Sequence, residues 1–417
     1  MASLRENDQF FKFVRTFIRK LPSVPTNCNQ NHFGLILRAF REGISQNPHL
    51  NTTHVLYLAG SFIEEYVICM RISKVGAEKE NTDISPEYVI KVHQFAVGLL
   101  CDCLKKISSS GATNDKLPSV GGIHNIVELM TRCLVSTSYD VQVGATRILN
   151  KILRNPSMCR DLPMDSLAKQ IYRTLMTCKS VSDRLAQNCL RVLAHIIKLR
   201  SSPPFHSKKI SLLLQFAFKN LAEDAMHLRV SFLLLNAMIS RRMISEEMYT
   251  LLDDLLFMIS QGQTAQLRHM CSHVVIRFIL TYPIGERHME KLLRNMVASL
   301  EYSNPGGRVS AISAIRGLVT RLPDTSIKFH GLTFYFPLVL RMVADDNSNC
   351  SKLASRAIDS LFLRLNTEQV EELLAFTDIW SSRKDRLRQA ACQVLLIGFR
   401  KHAHSAFKCY TRNEDRM

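Results

Sequence analysis

Residues 289–319 read MEKLLRNMVASLEYSNPGGRVSAISAIRGLV, and the spacing of their apolar side chains sets the reading of everything around them. Met289, Leu292, Leu293, Met296 and Leu300 recur at intervals of three and four, which places them on one stripe of a helix. Asn304-Pro305-Gly306-Gly307 then breaks the pattern with turn residues. Val309, Ile312, Ile315 and Val319 resume it. Two helices joined by a short turn, each with one apolar face, form a helical hairpin that must cover that face with a neighbour.

The same pair of stripes recurs on both sides. Upstream, Met248, Leu251, Leu252, Leu255 and Ile259 precede Leu267, Cys271, Val274 and Phe278; Met164, Leu167, Ala168, Ile171 and Leu175 precede Ala186, Cys189, Leu190, Leu193 and Ile197; and Ile123, Ile126, Val127, Met130 and Leu134 precede Ala145, Ile148, Leu149 and Ile152. Aligned on a basic or amide residue at its start, the second helix of each pair begins near Gln142, Arg184, Arg229, Arg268, Arg308, Lys352 and Arg388. These registers lie about 36 to 45 residues apart, the period of HEAT and armadillo units. Five of the seven carry a small residue three positions on (Ala145, Cys271, Ala311, Ser355, Ala391), as close helix packing requires; Gln187 and Phe232 depart from the rule. Earlier stripes, such as Phe10, Phe13 and Phe17 or Val92, Phe95, Ala96 and Leu99, keep helical spacing with a blurred period. The expected fold is therefore all-α, an α-solenoid of about nine HEAT-like hairpins in an α-α superhelix. Residues 1–120 form irregular hairpins, 121–401 seven repeats and 402–417 a basic polar tail.

Composition agrees with a folded interior, since 46% of the 417 residues are hydrophobic and 22% charged. No apolar run is long enough for a membrane span, Val55 to Met70 being broken by Glu64 and Glu65, and Arg5, Glu6 and Asp8 precede any apolar run at the start. Of the twelve cysteines, Cys133, Cys178, Cys189, Cys271, Cys350 and Cys392 fall inside helical patterns, where a thiol acts as a small hydrophobe; an intracellular, reducing setting follows. Lys and Arg number 54 against 36 Asp and Glu, a net charge of +18. That excess favours a polyanionic partner, nucleic acid or an acidic protein surface.

Catalytic templates are missing: the sequence has no Walker loop, GxSxG elbow, HExxH or CxxC pair, and no dinucleotide GxGxxG. No catalytic residue, cofactor or metal is expected. His269 and His273 stand at i and i+4 but lack a third ligand and open a repeat's second helix, while Gly306 and Gly307 fall where repeats turn rather than where a phosphate is cradled. The candidate nucleic-acid residues are basic clusters: Arg147, Lys151 and Arg154 at i, i+4 and i+7 on one helix face, Lys208 with Lys209, Arg241 with Arg242, and Arg383, Lys384 and Arg386.

Three motifs carry a family resemblance. Tyr282-Pro283-Ile284-Gly285, then Leu300-Glu301-Tyr302 with Pro305, Gly307 and Arg308, then Phe336-Pro337-Leu338-Val339-Leu340-Arg341 with Asp345-Asp346 resemble the C-terminal region of the giant HEAT-repeat component 20 of the small-subunit processome, also called down-regulated in metastasis. The likeness is best from about Leu251 to Val394. It implies a non-catalytic scaffold of the small-subunit processome, or 90S pre-ribosome, in the nucleus and nucleolus. Such a scaffold supports 18S rRNA maturation and small-subunit biogenesis by contacting pre-ribosomal RNA and other processome proteins, with no membrane and no small-molecule substrate. Family members are several times longer and end in a Lys-rich tail, so the chain reads as a fragment. The alternative is a protein-only, importin-like adaptor that grips acidic peptide segments.

Overall fold

The computed structural model describes residues 120–159, 162–199, 205–218, 228–380 and 386–403, together with Thr16, 38–39, 41–43, Ala59, 93–99 and 101–102. The stripe around Phe10 to Phe17, residues 383 and 384, and the tail after 403 lie outside the described residues. Two compact units meet in sequence between Pro204 and Phe205.

In the first unit, α1 (Val120–Cys133) pairs with α2 (Tyr139–Leu153), and α3 (Met164–Met176) with α4 (Arg184–Leu199). The second unit holds α5 (Ser207–Phe218), α6 (Leu228–Ser240), α7 (Glu246–Gln261), α8 (Ala265–Thr281), α9 (Glu286–Ala298), α10 (Pro305–Val319), α11 (Asp324–Ala344), α12 (Ser348–Phe362), α13 (Thr367–Asp378) and α14 (Arg386–Lys401). Among the described residues there is no strand, and the helices follow one another as tandem hairpins. Each of the seven registers read from the sequence falls in the first turn or so of a second helix, α2, α4, α6, α8, α10, α12 or α14. Within each unit, second helices pack on second helices, α2 on α4, α8 on α10, α10 on α12. Helix boundaries follow local chemistry. Pro305 stands at the start of α10, where its missing N–H costs nothing, and the Asn304 side chain accepts from the Gly306 N–H at 2.8 Å. Asn366 and Gln369 close a capping box on α13.

Within each unit the interior is an apolar seam along the hairpins, and two positions in the second unit show how tightly it is fitted. A Cβ at Gly307 would lie 2.3 Å from the Ser260 carbonyl oxygen and 2.5 Å from the Tyr302 ring, so only glycine admits this approach of α10 to α7. Beside it, Arg308 is buried: its guanidinium makes a two-pronged bond to Asp345, 2.8 Å on each arm, and donates to the Tyr302 and Ser303 carbonyls at 3.1 and 2.7 Å. The register arginine is thus a packing residue that ties one inter-helix turn to the next. Arg268 has a similar role in the preceding hairpin, with 2.7 Å to the Gly262 carbonyl and 3.0 Å to Ser310.

One register needs adjustment. Moving along α2 by 44 residues rather than 42 superposes its buried positions on those of α4, so that Cys189, not Gln187, occupies the place of Ala145. The small-residue rule then holds there too. Among the expected core thiols, Cys133, Cys189, Cys271 and Cys350 are buried, but Cys178 is half-buried just past the end of α3, where the hairpin turn begins, and Cys392 is exposed on α14.

Candidate nucleic-acid interface

Once Ala145, Ile148, Leu149 and Ile152 are committed to the core, α2 has one outer edge left, and Arg147 and Arg154 stand exposed on it. Lys151 differs from its neighbours. Its ammonium donates to the Cys101 carbonyl at 2.8 Å and the residue is half-buried, so it caps an adjacent segment instead of standing in solvent. The basic face read as three cations therefore offers two.

The structure replaces the lost cation with others. Advancing Arg147, Lys151 and Arg154 by the 44-residue step gives Arg191, His195 and Lys198, the corresponding outer edge of α4. The two helices lie side by side, joined where the Asn150 amide donates to the Asn188 carbonyl at 3.1 Å. Arg191 is steadied by Asn188 at 3.1 Å. With neighbouring helices about 10 Å apart and seven residues spanning about 10 Å along an axis, Arg147, Arg154, Arg191, His195 and Lys198 form a two-row grid on the scale of a few phosphates. No acidic residue lies on α4, and the only one on α2 is Asp140 in its first turn. The field is felt within the grid. Burial lowers the pKa of Arg191, and Arg154 lowers it further; His195 is lowered by burial, then by Arg154 and Lys198. A nearby anion would offset the repulsion at both.

The grid belongs to a wider segregation. Along the second helices α2, α4, α6, α8, α10, α12 and α14, Asp140 and Asp359 are the only acids, whereas the first helices α7 and α13 carry four acids each and no base. In the second unit, however, outer-edge arginines are partly engaged: Arg277 donates to Asn236 at 3.4 Å and Arg316 to Ser360 at 3.2 Å.

The remaining candidates fall elsewhere. Lys208 and Lys209 are exposed on the first turn of α5, and Arg241 and Arg242 are exposed just past the end of α6, where Arg242 takes a left-handed φ of 50°. Ser231 near the start of α6 donates to the Ala217 carbonyl near the end of α5 at 2.7 Å, so the hairpin brings both dyads to one end. Arg383 and Lys384 lie outside the described residues, as does the side chain of Arg386 at the head of α14.

No catalytic constellation emerges from the residues described. The closest Cys–His approach is Cys133 Sγ to His93 Nε2 at 3.6 Å, yet burial pushes the thiol up to about 12 and the imidazole down to about 4, so both stay neutral. That is the reverse of an activated thiolate pair. Among the described residues no three His, Cys, Asp or Glu side chains gather as a metal site, and His273 next to His269 is held down by burial and then by Arg277 and Arg321. The Gly306–Gly307 turn is a helix cap whose first N–H is already taken by Asn304. Among the described residues, no helix is long and apolar enough to cross a membrane.

No family model matches the chain. Two curated proteins named U3 small nucleolar RNA-associated protein 20 are homologues: that of Schizosaccharomyces pombe is 21% identical over 325 residues, covering 77% of this chain and 13% of the relative, and that of Saccharomyces cerevisiae is 20% identical over 378 residues, covering 86% and 15%. The chain therefore spans about one seventh of the curated relatives it matches. Among solved structures, the crystal structure of Kap121p is similar over 94% of this chain and 38% of that one, at 12% identity and a TM-score of 0.47.

Proposed function

We propose that this chain is a non-catalytic scaffold segment of the small-subunit processome, the 90S pre-ribosome, located in the nucleolus and acting in 18S rRNA processing and small-subunit biogenesis. The homologues' name, U3 small nucleolar RNA-associated protein 20, supports the ribosome-biogenesis setting. The observation that carries the RNA contact is the grid on α2 and α4, five cationic or protonatable side chains against a single acid on the two helices, Asp140, which lies two turns before Arg147 on the α2 edge. Its mechanism is presentation: the packed hairpins hold the cations at fixed spacing, and pre-ribosomal RNA meets them through its phosphates, while other faces meet processome proteins. Phosphate contacts position an RNA without reading its sequence.

The test is salt dependence. Binding of a labelled, mixed-sequence single-stranded oligoribonucleotide should weaken steeply with salt, with a log–log slope of about −0.7 for each phosphate contacted. Replacing Arg154→Glu and Lys198→Glu together should flatten that slope by about 1.4 and leave helicity unchanged. Unaltered affinity and slope in the double variant would remove this grid as the RNA site. An absence of salt-dependent RNA binding by the wild-type chain would overturn the RNA reading in favour of a protein-only, importin-like adaptor, with the +18 charge answered by acidic peptide segments.

A further inference from the structure

The outer face of α11 is apolar where a solenoid's outer face is ordinarily polar. Ile327, Phe334, Tyr335, Leu338 and Val339 bury the inner side of this helix, Tyr335 closing on Thr377 of α13. On the opposite side Phe329, Leu332, Phe336 and Leu340 recur at i, i+3, i+7 and i+11, with Phe329 78% and Leu340 52% exposed. The stripe continues onto α13: the Phe336 ring lies 6.3 Å from the Phe376 ring, and beyond it Ile379 is 65% exposed. Six large side chains thus make one contiguous apolar strip across two neighbouring helices of the second unit. Scattered apolar residues on a surface need no explanation, whereas a contiguous strip marks a contact.

Its length and rim say what it fits. From Phe329 to Leu340 the stripe runs about 16 Å, three turns of helix, and its heptad-like spacing is what a second helix laid alongside would match knob into hole. The α13 edge is acidic and has no base: Glu368 and Glu372 are exposed, with Glu371 half-buried. Glu368 in the first turn also offsets the helix dipole, but Glu372 lies a turn further on, beyond that effect. In a chain of charge +18, an acidic edge beside an apolar strip selects a partner of opposite rim. We infer that the α11–α13 face docks an amphipathic helix of a partner protein, whose apolar stripe covers Phe329, Leu332, Phe336 and Leu340 and whose Lys or Arg edge faces Glu368 and Glu372. This surface is independent of the RNA grid and stands or falls apart from it.

The experiment uses the full 417-residue chain and two synthetic helical peptides, identical in their leucine stripe but carrying Lys or Glu along one edge. Fluorescence anisotropy should show the Lys-edged peptide binding at least about tenfold more tightly than the Glu-edged one, and Phe329→Gln with Leu332→Gln should weaken it by at least about tenfold. Both replaced residues are exposed, and unchanged circular dichroism certifies the variant's fold. Glu368→Gln with Glu372→Gln should remove the discrimination between the peptides while leaving part of the affinity. Equal binding of the two peptides, or a Phe329/Leu332 variant that binds as well as the wild type, overturns the proposal. So does sedimentation showing a wild-type dimer that the same variant dissolves, since the strip would then be covered by a second copy of the chain.

Discussion

The outer edges of α2 and α4 and the outer faces of α11 and α13 are left over from the same construction, yet they are opposite in chemistry. In both places an apolar stripe is committed to the hairpin core and what remains is free to vary. On α4 the remainder is Arg191, His195 and Lys198 without an acid; on α13 it is Glu368, Glu372, Phe376 and Ile379 without a base. Helix-forming propensity does not distinguish the two, since Arg, Lys and Glu are all good helix formers. The repeat therefore fixes the scaffold and leaves the partner to positions outside its period. Charge sorts by helix as well, with second helices basic and α7 and α13 acidic, so a net charge taken over the whole chain averages surfaces of opposite sign.

The comparison fails if the surface cations are packing residues in disguise, and Arg308 sets the scale for one that is. Arg308→Ala removes the two-pronged guanidinium from Asp345, whose side chain is 0% exposed, leaving it the Asn347 N–H and Arg341 at 3.9 Å, and should cost about 3 kcal/mol in denaturant unfolding. Arg154→Glu with Lys198→Glu, which places acids at two helix C-termini, should cost no more than about 1 to 2 kcal/mol. The pH dependence has a definite sign. Burial raises the pKa of Asp345, but the Arg308 bonds and the Asn347 N–H outweigh it and hold the carboxyl below its ordinary value. Its contribution is therefore complete above the usual carboxylate range and lost as pH falls through the folded-state value, so the Arg308→Ala deficit should shrink on acidification. Gly307→Ala, forcing a Cβ toward the Ser260 carbonyl, should cost about 1 to 3 kcal/mol by overpacking.

Next in size is the independence of the two faces. The Phe329→Gln and Leu332→Gln pair should leave RNA affinity within about twofold, and the Arg154→Glu and Lys198→Glu pair should leave Lys-edged peptide affinity within the same range, because the two pairs belong to different compact units and independent sites are additive. Anisotropy titrations of both variants against both probes check this. A double loss in either variant would mean that the two surfaces serve one ligand.

The repeat was legible because it repeats. Seven starts aligned on Gln142 to Arg388 each fall in a second helix, since the stripe, the turn and the small residue recur together. The cationic site was half legible. Lys151 has the right spacing, but spacing does not disclose that the Cys101 carbonyl is within its reach. Arg191, His195 and Lys198 were missed because a search for three Lys or Arg passes over the histidine between them and a 42-residue register misaligns the helices. The α11–α13 strip was not legible, because α11 is apolar on both sides: Phe334 and Phe336 look alike in sequence, and only the placement of α12 and α13 separates the buried ring from the exposed one.

The smallest expected effect is the most specific to the grid. His195 is half-buried, and burial, then Arg154 and Lys198, hold its imidazole below the ordinary histidine value, so it is neutral near pH 7 in the free protein. Phosphates seated on Arg154 and Lys198 would neutralise the two cations that disfavour its protonation, and a phosphate near the ring would favour it directly. The histidine pKa is then higher in the complex than in the free chain. By linkage, binding takes up a fraction of a proton, and RNA affinity should rise about two- to threefold as pH falls from about 7.5 to 6. His195→Gln should abolish that rise while keeping most of the affinity at the higher pH. The fold moves the other way: with its pKa lowered on folding, His195 favours the unfolded chain slightly as pH drops below the ordinary histidine value, so a melting curve over the same range excludes a gain in stability as the cause. If the affinity rise persists in His195→Gln, the proton is taken up elsewhere and RNA does not reach the α4 row. If it vanishes there and also in Arg154→Glu alone, the two rows bind as one surface.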